Sequence, residues 1–340
     1  MSNKDNLAMF GLYDAVISHD FAETTCFLCG TKIVESNETK EHVFPKWLLN
    51  HFGLWDMRMT LINGTKIPYR SLVIPCCLKC NNKHLSAIEN EVRANFMVGP
   101  KAVQNMDRET LMLWVIKIFY GLVYREIFLP FDRRNPTGGN IVTPEDMEQY
   151  QLLHYMLQAS RLPITFSQMD SDIPASIYVF QLQEPSNPAL RFDYRDSILY
   201  RTLYLRMGKV GILASFDMGA QTIEGQNYFP RYQANQLHPV QFQELGANLF
   251  LKASKFNRVP KVFFSESPNG IKLHVLPIAG LSMNPVFESS TAEELVELLM
   301  LFHGYPKEAI TSEEGRVGTW LKKEDSSFWH MDINNPPWSI

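Results

Sequence analysis

The pattern of apolar and polar residues predicts helices in several parts of the chain. Between residues 107 and 128, apolar side chains recur every three to four positions, which is the spacing of one face of a helix. Thr143-Pro144-Glu145 and Thr291 with Glu294 have the residue types that begin helices. The predicted helices are 45–50, 81–94, 107–128, 143–160, 241–251 and 291–303.

Short runs rich in β-branched and aromatic residues predict strands between these helices. The runs are 32–34, 41–43, 72–74, 176–182, 198–206, 210–216, 261–265 and 271–276. Gly208-Lys209 and Pro268-Asn269-Gly270 are turn sequences that predict two hairpins. Mixed helices and strands in this order predict an α+β fold. A turn signal at Gly99-Pro100 predicts a first domain at 1–100 and a larger mixed domain at 101–340.

Composition favours a folded protein without a membrane span. The 340 residues are 45% hydrophobic and 20% charged, with a net charge of −4. The most apolar segment, 111–129, is interrupted by Lys117, Arg125 and Glu126, so we expect no transmembrane helix. The first residues show no apolar signal-peptide core, and we therefore expect a cytoplasmic protein.

Four of the five cysteines form two Cys-x-x-Cys pairs, Cys26 with Cys29 and Cys77 with Cys80. Two such pairs supply the four thiolates that a tetrahedral zinc ion prefers, and four thiolates leave no open position for substrate. We therefore predict a structural zinc site, with a redox role for the pairs as the alternative. Cys76 is an alternative third ligand, but the two-residue spacing to Cys80 favours Cys77.

Between and after the pairs lie Glu41-His42-Val43-Phe44-Pro45 and Asn81. The ordered set, over about residues 20–95, resembles the zinc-containing branch of the HNH endonuclease family. The core of that family is a two-stranded hairpin followed by a helix, which together hold one divalent metal ion. The resemblance implies that His42 is the general base and that Glu41 and Asn81 bind Mg²⁺ or Mn²⁺. His84, one helical turn after Asn81, is a candidate third ligand or phosphate contact, or else a solvated or capping histidine.

One position departs from the family pattern. The family has a middle asparagine that orients the histidine, and Ser71 or Leu72 stands at that position here. Ser71, or Asn63 from the preceding loop, is a candidate replacement.

Basic residues without acidic neighbours precede and follow the second cysteine pair. No Asp or Glu occurs between Asp56 and Glu89, and this stretch includes four predicted nucleic-acid contacts: Lys66, Arg70, Lys79 and Lys83. The alternative is an ordinary solvated basic loop.

Together these features predict a metal-dependent HNH endonuclease that hydrolyses DNA. A non-catalytic, zinc-stapled nucleic-acid-binding module is the alternative. A third hypothesis is a regulated effector of a bacterial antiviral defence system, in which residues 101–340 bind an activating ligand or protein. A homodimer is also expected if two sites pair to cut both strands.

Overall fold

A computed structural model describes residues 11–18, 20–167, 172–224, 228–267, 270–276, 278, 283–312 and 314–334. Both helices and strands are present, which confirms the predicted α+β class. The helices are α1 Ala15–Ser18, α2 Lys46–His51, α3 Ser86–Val98, α4 Pro100–Asn105, α5 Arg108–Glu126, α6 Gln151–Leu157, α7 Ala220–Glu224, α8 Pro239–Ser254, α9 Ala292–His303 and α10 Lys307–Ile310. No helix in the described ranges is both long and apolar enough to cross a membrane.

Among the described residues the strands are short and belong to four sheets. They are β1 Glu38–His42, β2 Arg58–Thr60, β3 Lys66–Pro68, β4 Val73–Cys77, β5 Ile164–Ser167, β6 Ser176–Leu182, β7 Phe192–Ser197, β8 Thr202–Met207, β9 Val210–Ser215, β10 Gln236–Leu237, β11 Val262–Ser267 and β12 Gly270–Val275. Strand order is β1-β4, β2-β3, β11-β12-β5 and β10-β6-β9-β8-β7.

The chain divides into two compact units that do not follow the predicted boundary near residue 100. The first unit comprises 1–94, 107–165 and 264–273, and the second comprises 95–106, 166–263 and 274–340. Helix α5 explains why the first unit extends beyond residue 100. Apart from Arg108, Glu109, Thr110 and Arg125 its residues are buried, and at Gly121 a side-chain carbon would meet Ile74 of β4 at 3.3 Å. A helix that the sequence assigns to the next domain therefore completes the core around β4.

In the first unit, β1 and β4 form an antiparallel pair in which His42 is opposite Val73 and Glu38 is opposite Cys77. The chain leaves β4 at Cys77, makes a wide helical turn over Cys80–Leu85, and continues into α3. The predictions at 41–43, 72–74 and 81–94 are thus confirmed in type, with shifted bounds: β1 spans Glu38–His42, β4 spans Val73–Cys77, and the helical turn and α3 together span 80–98. The predicted strand at 32–34 is reduced to one bridge between Thr25 and Lys32.

Of two helix predictions in the rest of the chain, the one at 143–160 is confirmed in part and the one at 291–303 is confirmed with its capping box. Thr143 Oγ1 accepts a hydrogen bond from the Asp146 amide at 3.2 Å, although the predicted helix 143–160 is divided into two short 3₁₀ turns around α6. The Thr291–Glu294 capping box is formed at the start of α9, which ends at Gly304 in the left-handed conformation.

The second unit contains the five-stranded sheet, with α8 packed on it and α9 packed on α8. Strand β6 and the hairpin of β8 and β9 confirm the predictions at 176–182 and 210–216, and β8 begins four residues later than predicted. Strand β7 was not predicted. The strands of the second predicted hairpin are present as β11 and β12, while Pro268 and Asn269 of its turn lie outside the described residues.

Candidate functional site

The four paired cysteines converge. Their sulfur atoms all lie within 4.8 Å of one another, and the Sγ atoms of Cys29 and Cys77 are 3.8 Å apart. A tetrahedral zinc ion with Zn–S bonds of about 2.3 Å requires sulfur atoms about 3.8 Å apart. The group Cys26, Cys29, Cys77 and Cys80 can therefore hold a metal ion, and it contains Cys77, not Cys76.

Backbone hydrogen bonds shape the first cysteine turn. The Gly30 amide donates to the Cys26 carbonyl at 2.9 Å, and Gly30 has a φ of +72°, which favours glycine. A Cβ at Gly30 would also lie 2.4 Å from the ring of Tyr13. The Phe27 amide donates to the Pro75 carbonyl at 3.0 Å, which joins this turn to β4. The sequence therefore brings the first pair against the strand that ends at the second pair.

The cysteine cluster has a basic neighbour that sequence reasoning missed. Burial lowers the pKa of Arg161. The negative charges of the nearby Cys29 and Cys80 thiolates act in the other direction, but burial has the larger effect. The Arg161 guanidinium donates to the Leu28 carbonyl at 3.3 Å, between the cysteines of the first pair. Hydrogen bonds from neighbouring thiols, Cys29 foremost, lower the pKa of Cys26. The pKa of Cys77 is raised, by burial first, and that of Cys80 is raised, by its hydrogen bond with Cys26 first, so within the group the thiolate is favoured at Cys26.

Glu41 does not lie in an open metal site. It is buried on β1, and its carboxylate forms an ion pair with Lys117 of α5, which is itself 2% exposed. The Lys117 ammonium also donates to Glu89 Oε1 of α3 at 2.7 Å and to the carbonyl oxygens of His42 at 2.5 Å and Val43 at 3.2 Å. One lysine thus binds two carboxylates and the backbone at the end of β1. In the sequence alone, Lys117 is only a charge that interrupts an apolar segment.

Burial and charge act in opposite directions within this cluster. Burial raises the pKa of Glu41 to about 7, with a further increase from Glu89, while the Lys117 charge opposes the change. Burial alone would lower the pKa of Lys117, but the two carboxylates outweigh it, so the pKa of Lys117 is raised. Lys117 therefore remains an ammonium ion.

His42 points to the opposite side of β1 from Glu41, because successive side chains of a strand alternate. It is half-buried, and its ring meets the edge of Trp55, with the ring centres 5.7 Å apart. Trp55 in turn donates from Nε1 to Asn50 at 2.5 Å. Within the described part of the chain the imidazole makes no hydrogen bond. Burial, followed by the positive charges of Lys46 and Lys117, lowers the pKa of His42. The imidazole is thus neutral at pH 7 and able to accept a proton.

The candidate orienting residues do not reach His42. Asn63 donates to the Phe131 carbonyl at 2.8 Å and to the Pro130 carbonyl at 3.3 Å. Leu72 is fully buried, and its carbonyl accepts from the Val43 amide at 2.9 Å. Ser71 ends a 3₁₀ turn before β4. Trp55 is the side chain in ring contact with His42, and neither composition nor spacing indicated that contact.

Asn81 is brought to β1 but not to Glu41. Its Nδ2 donates to Thr39 Oγ1 at 2.8 Å and to the Lys40 carbonyl at 3.4 Å. His84 hydrogen-bonds the backbone of Ser160, and its pKa is lowered by burial first and then by nearby lysines. Over the described ranges, no second group of three or more His, Cys, Asp and Glu side chains gathers as metal ligands. The predicted magnesium ligands Glu41, Asn81 and His84 therefore do not fit a magnesium site in this arrangement.

The four predicted nucleic-acid contacts are all exposed, as the phosphate-facing hypothesis needs. Lys66 begins β3, Arg70 lies in the 3₁₀ turn after it, and Lys79 and Lys83 lie on either side of Cys80. Arg70 forms an ion pair with Asp56. The three lysines form no ion pair within the described residues, so their charges remain available to an anion.

Comparison with protein-family models, with curated proteins and with solved structures finds no match to this chain. Its function therefore has to be inferred from the site itself.

Proposed function

We propose that this chain is an HNH-type endonuclease that hydrolyses phosphodiester bonds of DNA, with His42 as the general base. One observation carries the proposal. The antiparallel pair of β1 and β4 is followed directly by a helix, Glu41-His42 ends the first strand, and the cysteine cluster spans the junction of strand and helix. A strand pair followed by a helix, with Glu41-His42 at the end of the first strand, supports the proposal.

A structural zinc ion in the cysteine cluster is part of the proposal. The 3.8 Å separation of the Cys29 and Cys77 sulfur atoms is the spacing of zinc ligands. Four thiolates fill the coordination shell, so the ion would hold the first cysteine turn against the start of α3 and take no part in catalysis.

In the proposed reaction, the neutral imidazole of His42 accepts a proton from a water molecule as the water oxygen attacks phosphorus. The bond from phosphorus to the leaving oxygen breaks, and solvent returns a proton to that oxygen. Lys66, Lys79 and Lys83 would hold the DNA backbone through its phosphates. Magnesium held by Glu41 and Asn81 is left out of this mechanism, because Lys117 already binds the Glu41 carboxylate.

A second candidate is a non-catalytic module that binds nucleic acid. It is favoured by the Glu41–Lys117 ion pair and by the fact that no described residue hydrogen-bonds the imidazole of His42. This candidate predicts DNA binding that weakens with salt, without hydrolysis under any divalent metal.

Plasmid cleavage separates the two candidates. Zinc-loaded protein is incubated with supercoiled plasmid in the presence of Mg²⁺, Mn²⁺ or EDTA. We expect the native chain to produce nicked or linear DNA in at least one of these conditions. In that condition His42→Ala should lose cleavage, and His51→Ala, which replaces an exposed histidine on α2, should cleave as the native chain does. Equal cleavage by His42→Ala would refute the role of His42. Binding without cleavage in every condition would favour the second candidate.

A further inference from the structure

Four oxygen atoms surround the ammonium of Lys117. Two are carboxylate oxygens, from Glu41 on β1 and Glu89 on α3. Two are the carbonyl oxygens of His42 and Val43, at 2.5 and 3.2 Å. Carboxylates and carbonyls are the ligands that Mg²⁺, Mn²⁺ and Ca²⁺ select in proteins. In this chain the same kind of oxygen set surrounds a side-chain cation.

We propose that Lys117 is a built-in cation that takes the place of a divalent metal ion at Glu41 and keeps Mg²⁺ and Mn²⁺ out. An ammonium has three hydrogens to donate, and here it faces four acceptors, so none is left over for a substrate or a water molecule. A divalent ion that approached Glu41 would meet the positive charge of Lys117 at close range, in a buried place where solvent screens it little.

The burial of Lys117 shows why the ammonium stays in position. Lys117 lies in the middle of a helix whose residues from Leu111 to Tyr124 are all buried. A lysine in such a place is stable only when its charge is compensated, and Glu41 and Glu89 are the compensating groups. By binding the carbonyls of His42 and Val43, the same ammonium also fixes the end of β1 from which the imidazole projects.

The net charge of the cluster would allow a divalent metal ion to replace the Lys117 ammonium. Two carboxylates and one ammonium carry a net charge of −1 when all are ionised, whereas two carboxylates and one divalent ion are neutral. Lys117→Met removes the ammonium and keeps most of the side-chain volume. The variant would leave two acidic side chains and two carbonyls around a position that only a cation or bound protons can neutralise.

Manganese binding, followed by electron paramagnetic resonance on the zinc-loaded full chain without DNA, tests the proposal. We expect the native chain to show no manganese binding that depends on Glu41. We expect Lys117→Met to bind one Mn²⁺ at least about tenfold more tightly than the native chain. Glu41→Gln added to Lys117→Met should remove that binding, and Lys101→Met, which replaces an exposed lysine of α4, should behave as the native chain.

Two results would overturn the proposal. One is a manganese ion bound to the native chain and lost in Glu41→Gln. The other is a folded Lys117→Met protein that gains no manganese. If Lys117→Met does not fold, the comparison of the native chain with Glu41→Gln still decides whether a divalent ion binds at Glu41. Because DNA is absent, the outcome is independent of whether the chain is a nuclease.

Discussion

The ammonium of Lys117 lies 2.7 Å from Oε1 of Glu89 and so joins α5 to α3. The same ammonium pairs with Glu41, which adds β1 to the connection. Three elements that do not follow one another directly in sequence therefore meet at one buried charge. Glu89 is one-fifth exposed, whereas Lys117 is almost fully buried, so the two partners differ in how much water can replace a lost contact.

This difference predicts unequal costs for the two partners. Lys117→Ala leaves two carboxylates without a counter-charge, and we expect the free energy of unfolding to fall by about 3–5 kcal/mol. Glu89→Gln leaves the Lys117–Glu41 pair intact, and we expect a loss of about 1 kcal/mol. Urea unfolding of zinc-loaded protein measures both, with Lys101→Ala as the exposed control. If the free energy of unfolding falls equally in the two variants, Glu41 is not the main partner of Lys117.

Sequence patterns predict structure formed by residues that are close together in the chain, and they do not predict contacts between residues that are far apart in it. The Cys-x-x-Cys pairs, the helix after Cys80 and the Thr291 capping box are local signals, and the structure has each where the sequence predicts it. The Lys117 bond to the His42 carbonyl spans 75 residues, and spacing within a segment does not report such a contact. A lone lysine in an apolar helix was the available signal, because a buried charge requires a partner.

Strand β7 shows a second reason why prediction was incomplete. Its sequence, Phe-Asp-Tyr-Arg-Asp-Ser over 192–197, includes charged residues that favour loops as readily as strands. It lies at the edge of the five-stranded sheet, and among the described strands it pairs with β8 alone. Charges are common on edge strands because they prevent pairing with other molecules. Position in the sheet, which the local sequence does not specify, explains the composition.

The cysteine cluster predicts different roles for two adjacent thiols. We expect Cys77→Ser to lose the bound zinc, because Cys77 is one of the four converging sulfur atoms. Cys76→Ser should keep one zinc per chain, since Cys76 is outside that group although it is also buried. Elemental analysis of each purified variant gives the zinc content per chain. Loss of zinc from Cys76→Ser with retention by Cys77→Ser would show that the ligands are assigned the wrong way round.

A comparison of two glycines in the left-handed conformation distinguishes the cost of backbone strain from the cost of a steric clash. Gly30 has a φ of +72° and Gly53 a φ of +64°, so alanine costs about 1 kcal/mol at either from the backbone alone. At Gly30 the new Cβ would also lie 2.4 Å from the Tyr13 ring, whereas at Gly53 nothing lies within 4 Å. We expect Gly30→Ala to lower the free energy of unfolding by about 2 kcal/mol more than Gly53→Ala. Chemical denaturation compares them, and equal losses would show that Tyr13 moves away at no cost.

A buried carboxyl in the second unit predicts a change of stability with pH. Burial raises the pKa of Glu244 from 4.5 to about 7, although hydrogen bonds from Thr319 and the Trp320 amide act in the other direction. The folded chain therefore holds this proton more tightly than the unfolded chain. The tighter proton binding adds on the order of 3 kcal/mol to the free energy of unfolding below about pH 4.5. This contribution is lost as pH rises through 7.

Glu244→Gln should flatten this dependence. Glutamine is neutral at every pH, and its amide can accept from the Trp320 amide and donate to the Thr319 hydroxyl, which are the partners of Glu244. The free energy of unfolding of the native chain and of the variant is compared from pH 4.5 to 8. If the difference between them does not change over that range, Glu244 is ionised in the folded chain.

The exposed basic residues predict which charges contact DNA. Lys79 and Lys83 lie on either side of Cys80 and form no ion pair within the described residues, so both are available to phosphates. Arg70 already pairs with Asp56, and binding a phosphate would require it to share or leave that partner.

We expect Lys79→Ala and Lys83→Ala each to weaken DNA binding and to reduce the slope of log K against log salt by about 1. Arg70→Ala should change the slope less. Fluorescence anisotropy with a labelled duplex at several salt concentrations measures the slopes. Native slopes for both lysine variants would place the DNA on another surface.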